Sequence, residues 1–238
     1  MAIHLMEING KIANVVFYQM YGKNFVRSAP RKAKRTKAMK TRNKNFGIAS
    51  RAAGIIRRYC GPILPFPMGR SMQSRFSGAI TKWIGRREVK ELVPETNITF
   101  LAEFSFTEKC RLEQRWKTRL SLLFAPGGLQ LHIPAFTPKE AIMAPENTLS
   151  VMVKIMVAPT ELENGIPVIP FSSQLEIPYN DTETGPFTLD LPVITIKGTF
   201  IVTACALLYN IKDGNSGNTI VSDNPDYMPA AVIEARYC

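Results

Sequence analysis

Three periods of hydrophobic patterning follow one another along the chain. Residues 3 to 27 read as a β-meander: "IHLMEI", the pair Asn9-Gly10, "KIANVVFYQM", the turn "YGKN", then "FVRS". Asn-Gly between apolar runs is a hairpin signal, because both central residues of a type I′ turn need positive φ. Pro30 then interrupts, and from about Ala33 to Tyr59 the period becomes helical. Met39, Phe46, Ala49, Ala53, Ile56 and Cys60 recur at steps of seven, three, four, three and four, which predicts one apolar helix face. Lys37, Lys40, Lys44, Arg51 and Arg58 fall on the other side. Gly47, Ser50 and Gly54 make a stripe of small residues, which predicts close approach of a neighbouring backbone. The prolines of "GPILPFPMG" end this helix. A second amphipathic helix is predicted from about Ser71, as N-cap, to Ile84, with Met72, Phe76, Ala79, Ile80 and Trp83 on one face.

After Pro94 the pattern turns to strands. "CRLEQRWKTRLSLLFA" alternates Leu112, Trp116, Leu120, Leu122 and Phe124 with polar residues, as a long half-buried strand would. "LSVMVKIMVA" sets Leu149, Val151, Val153, Ile155 and Val157 on one face. With "NITFLAEFSF", "GLQLHI", "QLEIPY", "FTLDL", "TIKGTFIVTACALLYNI" and "AAVIEARY" this makes roughly eight strands between turn-rich segments. The fold class expected is α+β: a basic hairpin and two-helix module over residues 1–93, then an antiparallel β-sandwich over 94–238, immunoglobulin-like or jelly-roll.

Charge sharpens this division. The chain has 30 Lys and Arg against 19 Asp and Glu, a net +11. Residues 1–90 hold 20 of the cations and only Glu7 and Glu88, while the remainder holds 10 cations and 17 carboxylates. The first part is +18 and the second −7. Between Glu7 and Glu88 no carboxylate relieves the repulsion, so this field calls for a partner.

Few residues offer other chemistry. Cys60, Cys110, Cys205 and Cys238 are widely spaced with no CxxC pair, and His4 and His132 are the only histidines, so neither a disulfide framework nor a metal site is expected. No nucleophile elbow, P-loop, dinucleotide fingerprint or HExxH is present, and no cofactor is expected. "MAIHLMEING" lacks the layout of a signal peptide, and the longest apolar runs are too short to span a bilayer. The expected location is the cytoplasm, alone or within a larger particle, without membrane insertion.

Gly10-Lys11, Asn14-Val15-Val16, Tyr18, Gly22-Lys23, Val26-Arg27-Ser28 and Pro30 spell GK-x-x-NVV-x-Y and GK-x-x-VRS-x-P ahead of a Lys-rich helix. In these segments, and in "IPAFTPKEAIMAP" and "YMPAAVIEA", the chain resembles uncharacterised proteins of Bacteroidota that carry a domain of unknown function. That resemblance implies no chemistry.

The expectation is a non-enzymatic structural or binding protein. Lys34, Arg35, Lys37, Lys40, Lys44, Arg51 and Arg58 are the candidate polyanion-binding residues, with nucleic acid the foremost partner. Phe17, Tyr18, Tyr21 and Phe25 either stack on bases or fill the face of the meander. The sandwich is expected to mediate self-association into a homo-oligomer. The alternative is a capsid-like or filament-like assembly protein whose basic segment docks on the acidic sandwich of a neighbouring subunit.

Overall fold

The computed structural model describes residues 10–29, 36–64, 66–85, 87–96, 98–101, 104–125, 128–193, 197–214 and 217–238. By compactness the chain divides into Met1–Lys40 and Thr41–Cys238. In the first unit, Gly10–Ile12 (β1), Val15–Met20 (β2) and Lys23–Ser28 (β3) form an antiparallel meander in that order. Tyr21 and Gly22, with φ of 53° and 72°, make the second turn with the paired positive φ of a type I′ hairpin. The run "KIANVVFYQM" is not one strand: Gly10 pairs with Phe17, and the chain reverses at Ala13-Asn14, with Ala13 at φ 52°. The expected turn at Asn9-Gly10 involves Asn9, which lies outside the described residues. All six residues of β2 pair with β3, from Val15↔Ser28 to Met20↔Lys23. "IHLMEI" lies outside the described residues.

Two helices follow, Lys37–Cys60 (α1) and Arg70–Ile84 (α2). The buried face of α1 carries Asn45, Ile48, Ala49, Ala52, Ala53, Ile55, Ile56 and Cys60. Met39 and Phe46 are 48% and 58% exposed, so at the start of the helix the buried face lies about a quarter-turn from the apolar stripe that the spacing predicts. The two glycines of the small-residue stripe meet no neighbouring backbone among the described residues: a Cβ at Gly47 would touch none of them, and one at Gly54 would meet the Arg57 guanidinium at 3.8 Å. α2 buries Met72, Phe76, Ile80, Trp83 and Ile84 as its spacing requires, but its N-cap is Gly69, without a side-chain cap, not Ser71.

The remaining elements are Leu112–Arg115 (α3), Ser121–Ala125 (β4), Gly128–Ile133 (β5), Pro138–Ala141 (α4), Thr148–Glu161 (β6), Ile166–Pro167 (β7), Phe171–Pro178 (β8), Phe187–Pro192 (β9), Thr199–Lys212 (β10), Thr219–Val221 (β11) and Ala230–Tyr237 (β12). All described pairings are antiparallel. In the six-stranded sheet β10 and β6 run side by side. β12 and β11 share the other edge of β10, and β8 and β7 share the other edge of β6. A second sheet has the order β4-β5-β9.

Two predicted strands take other forms. Leu112 and Trp116 are buried four apart, a spacing that serves a helical turn as well as a strand, and the chain takes the turn as α3, so β4 starts only at Ser121. The described part of "NITFLAEFSF" is an irregular run along the outer edge of β12. Ile98 N donates to Ala235 O, Phe106 N to Ala230 O, and Phe104 O accepts from Val232 N, each at 2.8–2.9 Å. β12 is itself irregular, with a bulge opposite Thr203/Ala204, and a regular ladder cannot follow it.

The central sheet is covered on both faces. Along β10, Phe200, Val202, Ala204 and Ala206 enter one core with Ile48, Ala49, Ala52, Ala53, Phe76 and Ile80 of the helices. Ile201, Cys205, Leu207 and Tyr209 enter another with Leu129, Leu131 and Leu191 of the three-stranded sheet. A strand covered on both sides reads as a continuous apolar run, which is why "TFIVTACAL" shows no alternation. The first core draws alanines from both sides, Ala49, Ala52 and Ala53 of α1 and Ala158, Ala204 and Ala206 of the sheet. Leu149, placed by alternation with Val151 to Val157, is nonetheless exposed at the start of β6.

Candidate polyanion interface

The basic side of α1 begins at its N-terminus. Thr36 Oγ1 accepts from Met39 N at 3.2 Å and so caps the helix. No carboxylate lies in the first turn, and Lys37 and Lys40 stand there. At this end the helix dipole favours anions, so each lysine costs a few tenths of a kcal/mol to about 1 kcal/mol, and a bound anion would reverse that cost.

Lys37, Lys44, Arg51 and Arg58 follow at steps of seven, about 10.5 Å apart along the axis, and drift by only about 20° per step. Lys40 fills the first interval, and all five side chains are exposed. The helix is held by its opposite face, where Asn45 is buried and its Nδ2 donates to the carbonyls of Gly85 and Arg87 at 3.1 and 3.0 Å. Sequence reasoning missed Asn45, a lone polar residue on a buried face.

Arg51 differs from the other four. Its Nη1 donates to Asn164 O at 3.2 Å, and a Cβ at Gly165, where φ is +66°, would lie 3.4 Å from Arg51 Cβ. The turn it grips is closed by the Glu161 carboxylate, which accepts from Glu163 N and Asn164 N at 3.1 and 2.9 Å. Ion pairs among the described residues lie elsewhere, as in Arg75–Glu108 at 2.8 Å, Lys139–Asp181 at 2.7 Å and Arg236–Glu234 at 2.9 Å. The structure therefore brings Lys37, Lys40, Lys44, Arg51 and Arg58 onto one exposed side. Lys34 and Arg35, with Arg31 and Lys32, lie outside the described residues.

The aromatic residues of the meander sort by face. Tyr18 and Phe25 are cross-strand partners with ring centroids 5.6 Å apart and planes at 21°, and the Arg27 guanidinium lies 5.6 Å from the Tyr18 centroid. Phe17, one residue away on β2, lies on the opposite face, and Tyr21 projects from the turn, 91% exposed.

A concavity of about 230 Å³ that periodicity did not signal is lined by Arg111, Glu113, Trp116, Arg119 and Ile233. The Trp116 indole Nε1 is buried and has no acceptor among the described residues. Arg111 is already engaged there by Glu113 at 3.5 Å.

Among the described residues, no helix is long and apolar enough to cross a membrane. No protein-family model matches the chain, and neither the curated proteins nor the solved structures contain a significant match to it.

Proposed function

We propose that this is a non-enzymatic binding protein whose basic helix holds a polyanion, nucleic acid foremost, while its β-rich part associates with further copies of itself. The observation that carries this is the line of Lys37, Lys40, Lys44, Arg51 and Arg58 on the exposed side of α1, with no ion pair to any of them among the described residues. The spacing of about 10.5 Å is close to three nucleotide steps of a duplex strand at about 3.4 Å each, which suits backbone tracking without base reading. Counterion release then supplies the affinity. In this reading the two sheets that share one core form an antiparallel sandwich, immunoglobulin-like or jelly-roll, and the protein works in the cytoplasm or in a larger particle.

A second reading rests on the opposite charge of the C-terminal part. Glu146, Glu163, Glu176, Glu183, Asp190 and Asp223 are exposed there, so the basic helix of one copy would dock on the acidic surface of the next in a capsid-like or filament-like array.

Size-exclusion chromatography with light scattering, at low and high salt, separates the two. Nucleic acid that co-elutes at low salt and leaves at high salt supports the first reading. A nucleic-acid-free oligomer that dissociates with salt supports the second, and a monomer free of nucleic acid at both salts overturns both.

A further inference from the structure

We propose that one face of the β1–β3 meander is a stacking platform for single-stranded nucleic acid. This rests on the polyanion reading above and narrows it to unpaired strands. The register fixes the two faces. Cross-strand partners share a face, and alternate residues of a strand share one too. Lys11↔Val16↔Arg27, Tyr18↔Phe25 and Met20↔Lys23 therefore line one side. Gly10, Ile12, Val15, Phe17, Gln19, Asn24, Val26 and Ser28 line the other, without a charge. All three cations of the meander thus stand with the stacked aromatic pair.

The order along the platform suits an extended strand. Lys11 and Arg27 lie one pair of rungs from Tyr18 and Phe25, about 7 Å along the strands, and Lys23 lies the same distance beyond on the other side. Cations thus flank the rings as phosphates flank a base. The Arg27 guanidinium over Tyr18, with Phe25 stacked against the same ring, is an assembly of flat groups that a base extends. Phe25 is 36% exposed, and the Tyr21 ring stands free at the adjoining turn, so neither aromatic is spent on a core.

A duplex hides its base faces within its own stack, so a platform of this kind discriminates in favour of single strands. Its contribution is insensitive to sequence, because every base has a π-face. No carboxylate lies among the three strands to oppose a phosphate backbone.

The test uses the full chain and fluorescence anisotropy, with a labelled oligo(dT) of about 15 nucleotides and a duplex of equal length as probes. F25L keeps an apolar strand residue and removes the ring, and F25W keeps a ring. Y21N removes the exposed ring at the adjoining turn but retains a residue suited to its left-handed conformation. The platform predicts that F25L and Y21N each weaken single-strand binding about 5- to 100-fold and leave duplex binding unchanged. It also predicts that F25W binds at least as tightly as the native chain and that the single strand quenches the added indole emission. F25L and Y21N binding the single strand like the native protein, or a native preference for duplex, overturns the platform. If K37E/K44E/R58E abolishes binding to both probes while F25L changes neither, the platform is wrong and the helix reading stands. A native chain that binds neither probe at low salt removes both.

Discussion

The side-chain amide of Asn45 on α1 donates to the carbonyl of Gly85, the C-cap of α2, at 3.1 Å, and to that of Arg87 at 3.0 Å. Gly85 has φ 62° and ψ −129°, a conformation that turns the chain off the end of α2. The one polar side chain on the buried face of α1 thus occupies the exit of the second helix, and with it sets the position of the basic side. N45L fills the space but leaves two carbonyls without their donor. It should destabilise the protein by about 2–3 kcal/mol in urea melts, more than N43L on the exposed side, which should lie within about 0.5 kcal/mol.

Charge reversal on the outer side of α1 separates binding from folding. Lys37, Lys44 and Arg58 are exposed and make no described ion pair, so K37E/K44E/R58E should keep the native melting temperature within a few degrees. If each contacts a phosphate, the slope of log K against log salt should become shallower for each residue replaced by about 0.9 with a duplex and about 0.7 with a single strand. R51E should differ by also costing about 1 kcal/mol of stability, because Arg51 loses its bond to Asn164 O.

All four cysteines are free, and burial pushes the Cys60 and Cys205 thiols up to about 12. The unfolded chain ionises these thiols near 8.5, whereas the folded chain keeps them neutral. Their contribution to stability is therefore complete below about pH 8.5 and is lost as pH rises toward 12. Each thiol should remove about 1–2 kcal/mol between pH 8 and pH 10, read as a fall in the urea midpoint. In C205A that fall should be smaller by one thiol's share, about 1–2 kcal/mol, and an unchanged pH slope would refute the assignment.

Trp83 joins α2 to the sheet in two ways. Its ring stacks on Phe200 with centroids 5.0 Å apart, and its Nε1 donates to Glu95 Oε2 at 2.9 Å, while Glu95 exchanges backbone hydrogen bonds with Tyr237. W83F retains the stack and drops the donor, which should cost about 1–2 kcal/mol. W83A also opens a cavity and should cost about 3–5 kcal/mol. Chemical denaturation of both variants separates the two contributions.

Local periodicity carried the elements that have one wet face. Met72, Phe76, Ile80 and Trp83 repeat at helical spacing and are buried on α2, and Leu129, Leu131 and Ile133 alternate and are buried on β5. The basic side of α1 was legible for the same reason, since water accepts charge wherever the core does not. Periodicity misled where a residue's partner lies far along the chain. Met39 and Phe46 fit an apolar stripe but meet no core, while Leu112 and Trp116 fit a strand yet close a helical turn. The sequence by itself thus determined which segments bury a face, and how the charge is divided between the chain's two parts. Only the tertiary structure decided that helices and a second sheet cover opposite faces of β10, that Asn45 finds two carbonyls across α2, and that Lys11, Arg27 and Lys23 share a face with Tyr18 and Phe25. Those pairings depend on which segments meet and in what register, and a one-residue shift between strands would have sent the meander's cations to different faces.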